Sequence, residues 1–174
     1  MSNNKTRFSK HKSIHQHESK DNTEGVPTRV SPKDNQPNAT YPDSQILLTK
    51  QIEHGEQLTE NQPVEKALEY FELLNILTPH NGRILNNIGV LKHASGDMNS
   101  AIEYLFLSLK HNPCSLDTAT NLIDLLLDTN ESNKALAVAI DFVSDRSNPF
   151  KQQMMEQIWD KFSPEQISKI NQHL

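Results

Sequence analysis

From Gln45 onward, apolar residues recur at spacings of three and four. They run as Ile46, Leu47, Leu48 and Ile52, then Val64, Ala67, Leu68, Phe71 and Leu74, then Ile84, Leu85, Ile88 and Leu91. Ala101, Ile102, Leu105, Phe106 and Leu109 follow, then Leu122, Ile123 and Leu126, and then Ala135, Leu136, Ala139 and Ile140. That spacing gives each of a series of helices one apolar stripe. No stretch sustains the period-two alternation of a strand. The body therefore reads as all-α. Residues 1–44 are different: their only branched aliphatics are Ile14, Val26 and Val30, and Pro27, Pro32, Pro37 and Pro42 recur every five residues. Such a segment cannot bury enough apolar surface to offset chain entropy, so a disordered tail is expected there.

The body repeats itself. Ala67, Ala101 and Ala135 are spaced by 34 residues, as are Gly55 and Gly89, Pro79 and Pro113, Tyr70 and Tyr104, and Glu69 and Glu103. The shared offset predicts three units, 48–81, 82–115 and 116–149, each a pair of helices A and B joined by a turn. Gly55 and Gly89 omit a side chain where helix A meets helix B, and the three alanines do the same from helix B. Phe71 and Leu105 are expected to fill the gap towards the next unit. Pro79 and Pro113 end helices. Gly96 and Asn130, again 34 apart, suit a left-handed residue between A and B. Asp97 and Ser132 are then the expected N-caps of the second and third B helices, and Pro63 the expected first residue of the first.

This pattern resembles the tetratricopeptide repeat (TPR). Repeat two carries it best, with Leu85 at the family's tryptophan position, Ile88-Gly89 at its Leu-Gly pair, Ala101 at its helix-B alanine, Leu105 at its phenylalanine and Pro113 at its closing proline. Repeat one puts Gln51 and His54 at the tryptophan and leucine positions. Repeat three has Ile123 in place of the glycine and Ser147 in place of the proline, which puts its register in question. The resemblance implies a TPR-type α-solenoid of antiparallel helix pairs that binds a protein segment on a concave face lined by the A helices.

Past Pro149 the repeat stops. Residues 150–174 are expected to form a helical cap over the last open face. Met154, Met155, Ile158 and Trp159 fit largely on one helix face, and Ser163-Pro164-Glu165 is a helix start. Trp159 is expected to belong to this cap. The alternative is a surface patch of Trp159, Met154 and Met155 that takes a partner or a second copy.

Charge and chemistry narrow the function. The chain has 174 residues and a net charge of −5, which excludes a protein that coats DNA. Seven Lys or Arg face five Asp or Glu in residues 1–44, so the body carries the acidity. The cations of the first 20 residues lack helical periodicity, and a solubilising tail is expected rather than a nucleic-acid or lipid contact. His11, His15 and His17 lie in that tail, where nothing would hold them in a metal-binding geometry. The single Cys114 excludes an intramolecular disulfide and a Cys-rich zinc site. A catalytic Cys114–His111 pair would need an activated thiol, and neither residue's setting predicts one. No phosphate loop or hydrolase motif occurs, so no enzyme, cofactor or metal is expected. No run of apolar residues would span a membrane, and the polar N-terminus lacks the core of a secretory signal, so a cytoplasmic location is expected.

Function is then expected in the groove. Its expected residues are Glu53 and Glu56 from repeat one, Arg83, Asn86, Asn87 and Val90 from repeat two, and Asp117, Asn121 and Asp124 from repeat three. The carboxylate clamp of TPR co-chaperones would fall on Ile52, Glu56, Asn87, Asp117 and Asn121, and only Asn87 matches it. An acidic ligand would meet like charge. Asn87 and Asn121, 34 apart, instead resemble the asparagine ladder of O-linked N-acetylglucosamine transferase, in which amides hold a peptide backbone. The expected partner is a protein or peptide with basic residues, bound by a non-enzymatic adapter. The alternative is a dedicated secretion or assembly chaperone: the size and acidic body resemble the type III secretion translocator chaperones, and the long Pro/His tail does not.

Overall fold

The structure, a computed structural model, describes residues 42–174. The expected disorder of the tail therefore concerns a segment that lies, up to Tyr41, outside the described residues. Eight helices follow one another among those described: α1 (Pro42–Asn61), α2 (Val64–Leu77), α3 (Gly82–Ala94), α4 (Met98–His111), α5 (Leu116–Asp128), α6 (Ser132–Ser144), α7 (Lys151–Ile158) and α8 (Pro164–Asn171). The first six form three A/B pairs. Helix α1 starts at Pro42, ahead of the Gln45 at which the periodicity begins. Proline is tolerated there because a first-turn N–H needs no intrahelical partner.

Neighbouring helices pack in chain order through α6. The A helices α1, α3 and α5 also touch one another in turn, whereas the B helices α2, α4 and α6 do not. An array held closer along its A side curves with that side inward, so α1, α3 and α5 line the concave face. Helix α7 packs on α5 and α6, the place of a further helix A, and α8 packs on α6. The terminal pair closes the apolar end of the solenoid with Met154, Met155, Ile158, Ile167 and Ile170, all buried.

Close approach within each pair rests on a large residue facing a small one. A Cβ added at Gly55 would lie 2.6 Å from Cζ of Phe71, and one at Gly89 would lie 2.8 Å from Cγ of Leu105. Phe71 and Leu105 thus fill the glycine gap of their own repeat, and each also joins a buried cluster with residues of the next repeat, as their sequence positions suggest. Repeat three keeps the register by inverting the pair. Ile123 stands where the glycine would, and Ala139 stands 34 residues after Leu105; both are fully buried in the same cluster.

The turns follow the sequence closely. Gly96 and Asn130 adopt positive φ of 87° and 60°. Asp97 caps α4 by accepting from the Ser100 N–H, and hydrogen bonds from the Ser100 hydroxyl and N–H hold its carboxyl below the usual range. That contribution is present above the ordinary aspartate range and is lost as pH falls through the depressed value. Ser163 and Gln166 form a capping box on α8, with Pro164 as its first residue. Two expected helix-start residues fall one position away from their expected places. Pro63 precedes α2 rather than opening it. Glu131, not Ser132, occupies the cap position of α6, because Glu131 is the true 34-residue counterpart of Asp97. Ser132 lies inside the helix, and its hydroxyl accepts from Nε2 of Gln166 on α8. No helix among the described residues is long and apolar enough to cross a membrane.

Candidate functional site on the concave face

The expected groove residues do lie along the A helices, but several are engaged with each other. Arg83 makes a two-point contact with Glu56: Nε donates to Oε1 at 2.8 Å and an Nη donates to Oε2 at 2.6 Å. The Asn87 amide donates to Oε1 of the same carboxylate at 3.2 Å and to the Arg83 carbonyl at 3.0 Å. Glu56, Arg83 and Asn87 therefore tie α1 to α3. Both amide protons of Asn87 are used and the residue is buried, at 4% exposure. This corrects the picture of Asn87 as an open rung for a peptide: its position on α3 faces α1 as well as the groove, and the carboxylate of α1 takes the donor. Val90 is likewise buried, at 6%, and supplies packing rather than surface.

One helix further along, the Asn121 amide donates to Oδ1 of Asn86 at 3.3 Å, linking α5 to α3. Both residues are half-buried. The Asn86 amide protons and the Asn121 carbonyl remain directed to no partner among the described residues. Together they offer the donor and acceptor that one peptide unit needs. Asp124 pairs with Lys161, which reaches back from beyond α7. Glu53 and Asp117 are exposed and carry no ion pair among the described residues. Asp117 sits in the first turn of α5. Among the described residues, the A helices thus carry two carboxylates without an ion pair, Glu53 on α1 and Asp117 on α5, besides the amide pair that joins α3 to α5.

Neither the Glu56–Arg83–Asn87 tie nor the Lys161–Asp124 pair was visible in the sequence. Each reaches between residues at least 27 positions apart, from α3 to α1 in the first case and from the turn after α7 to α5 in the second. A repeat register names which residues share a face, but not which of them satisfy each other across it.

The cysteine has no catalytic setting. Burial, the facing Asp145 carboxylate and a hydrogen bond to it push the Cys114 thiol up. Sγ lies 3.7 Å from Asp145 Oδ2. His111 is instead stacked on His80, with ring centroids 4.6 Å apart. Alkylation of Cys114 by iodoacetamide at neutral pH is expected to run slower than that of a free thiol, and Asp145→Asn is expected to speed it up. Rapid labelling of the unmodified protein would contradict this. Among the described residues no cluster of three or more His, Cys, Asp or Glu could hold a metal ion.

No protein-family model and no curated protein matches the chain. Solved structures do. The type III secretion translocator chaperone SycD of Yersinia enterocolitica superposes with a TM-score of 0.55 at 15% identity, covering 73% of this chain and 85% of SycD. SycD in complex with a peptide of the translocator YopD gives a TM-score of 0.53 at 17% identity, covering 77% and 97%. MamA gives 0.53 at 14% identity, covering 73% and 79%. At these identities the likeness is one of fold, and the fold is TPR-like.

Proposed function

We propose that this protein is a non-enzymatic adapter that holds an extended, basic segment of a partner protein on the concave face of its TPR-like solenoid. The observation that carries the reading is the pair of uncompensated carboxylates, Glu53 and Asp117, on a face that also offers the Asn86–Asn121 amide pair. The complex of SycD with a YopD peptide supports a peptide as the kind of ligand such a fold accommodates. Exposed ion pairs are worth about 0–1 kcal/mol each and amide contacts about 0.5–1.5 kcal/mol net, so affinity is expected near micromolar.

Titration of arginine-rich and glutamate-rich extended peptides at low and moderate salt tests this. The basic peptide is expected to bind, more weakly as salt rises. Glu53→Gln/Asp117→Asn should lower its affinity about threefold to thirtyfold. Preference for the acidic peptide, or an unchanged affinity in the double variant, would sink the reading.

A second reading, a dedicated secretion or assembly chaperone, is favoured by the extent of the SycD match, which spans 85–97% of that protein. It predicts that the protein suppresses aggregation of an apolar client segment and that groove carboxylates matter little to this.

A further inference from the structure

Trp159 is not part of the cap. Met154, Met155 and Ile158 fill the inward face of α7, and the next residue is rotated about 100° away from Ile158. Its indole stands 61% exposed. It borders a surface cavity of about 410 Å³ between α7 and the end of α8. Gln152, Met155, Glu156 and Trp159, at helical spacing on α7, form one wall, with Asn171 and Leu174 opposite.

The chemistry of this corner is one-sided. Met155 and Leu174 give it an apolar lining. Glu156 borders it, and Asp160 follows the tryptophan; both are exposed. Neither has an ion pair among the described residues; Lys161 pairs with Asp124 and Lys169 with Glu165 instead. The carbonyl end of α7 adds partial negative charge at the same place. An aromatic face, an apolar wall and uncompensated carboxylates complement a side chain that has an apolar stem and a flat cationic head.

We propose that this corner is a docking site for a single arginine of a partner protein. The arginine stem lies against Met155 and Leu174, and its guanidinium lies over Trp159 with N–H groups directed to Glu156. None of its lining residues is an expected groove residue, and the proposal does not depend on the groove's role.

Trp159 is the only tryptophan in the chain, so its emission reports this corner alone. The probe is a short amidated leucine–arginine peptide, compared with versions that carry citrulline or lysine in place of arginine. The arginine peptide is expected to change the emission saturably and to bind about tenfold tighter than the neutral citrulline peptide, with lysine in between. Glu156→Gln/Asp160→Asn should remove that preference while leaving the circular dichroism spectrum and melting temperature unchanged. Glu53→Gln/Asp117→Asn in the groove should leave the emission response intact. Equal binding of the citrulline peptide, a response unaffected by Glu156→Gln/Asp160→Asn, or a response lost in the groove variant would each overturn the proposal. So would an emission that shifts with protein concentration alone, which would assign the corner to a second copy.

Discussion

Phe71→Ala is expected to lower stability by about 3–5 kcal/mol, a large share of the 5–15 kcal/mol that holds a typical domain together. The ring is fully buried. It closes the space left by Gly55 and belongs to the cluster that joins α1, α2 and α3. Truncation leaves a cavity that the helices can refill only by moving together, and Gly55 has no side chain to contribute. Leu73→Ala, two residues along the same helix but 55% exposed, should change stability by less than about 0.5 kcal/mol. Urea and thermal unfolding of the two variants decide the matter. Comparable losses would mean that α2 does not present Phe71 to α1.

Gly89→Leu is the second large effect, with an expected cost of about 1–3 kcal/mol or more. The new Cβ alone would fall 2.8 Å from Cγ of Leu105 and 3.3 Å from the Ala101 carbonyl oxygen. The side chain could give way, but the backbone could not. Repeat three shows what would relieve the clash, since it already carries the large residue on helix A and the small one on helix B, as Ile123 and Ala139. Gly89→Leu combined with Leu105→Ala should therefore recover part of the loss, although Leu105→Ala alone is destabilising by about 2–5 kcal/mol. Additive losses in the double variant would show that the two positions do not share one space.

These pairs also show what could be read in the sequence. A 34-residue offset marks the left-handed residues Gly96 and Asn130 and accompanies the cap at Asp97, because steric requirements recur wherever the local geometry recurs. Ile123 looked like a break in the pattern only while one position was read without its opposite. The capping box at Ser163 was legible for the same local reason. The site was less so. Asn87 and Asn121 share a register position, yet one is spent on Glu56 and the other on Asn86. The difference lies in what the preceding A helix offers: a carboxylate in one case and an amide in the other. The hydrophobicity of Trp159 suggests burial in the cap, but the side of α7 on which it emerges has no helix to cover it.

The central claim is that a basic peptide lies along the concave face. Amide chemical-shift mapping of the labelled protein, titrated with an arginine-rich extended peptide in a Glu156→Gln/Asp160→Asn background, tests it most directly. The account predicts saturable shifts on α1, α3 and α5, centred on Glu53, Asn86, Asp117 and Asn121, with α2, α4 and α6 little changed. Shifts confined to α2, α4 and α6, or none on the A helices at saturation, would contradict it.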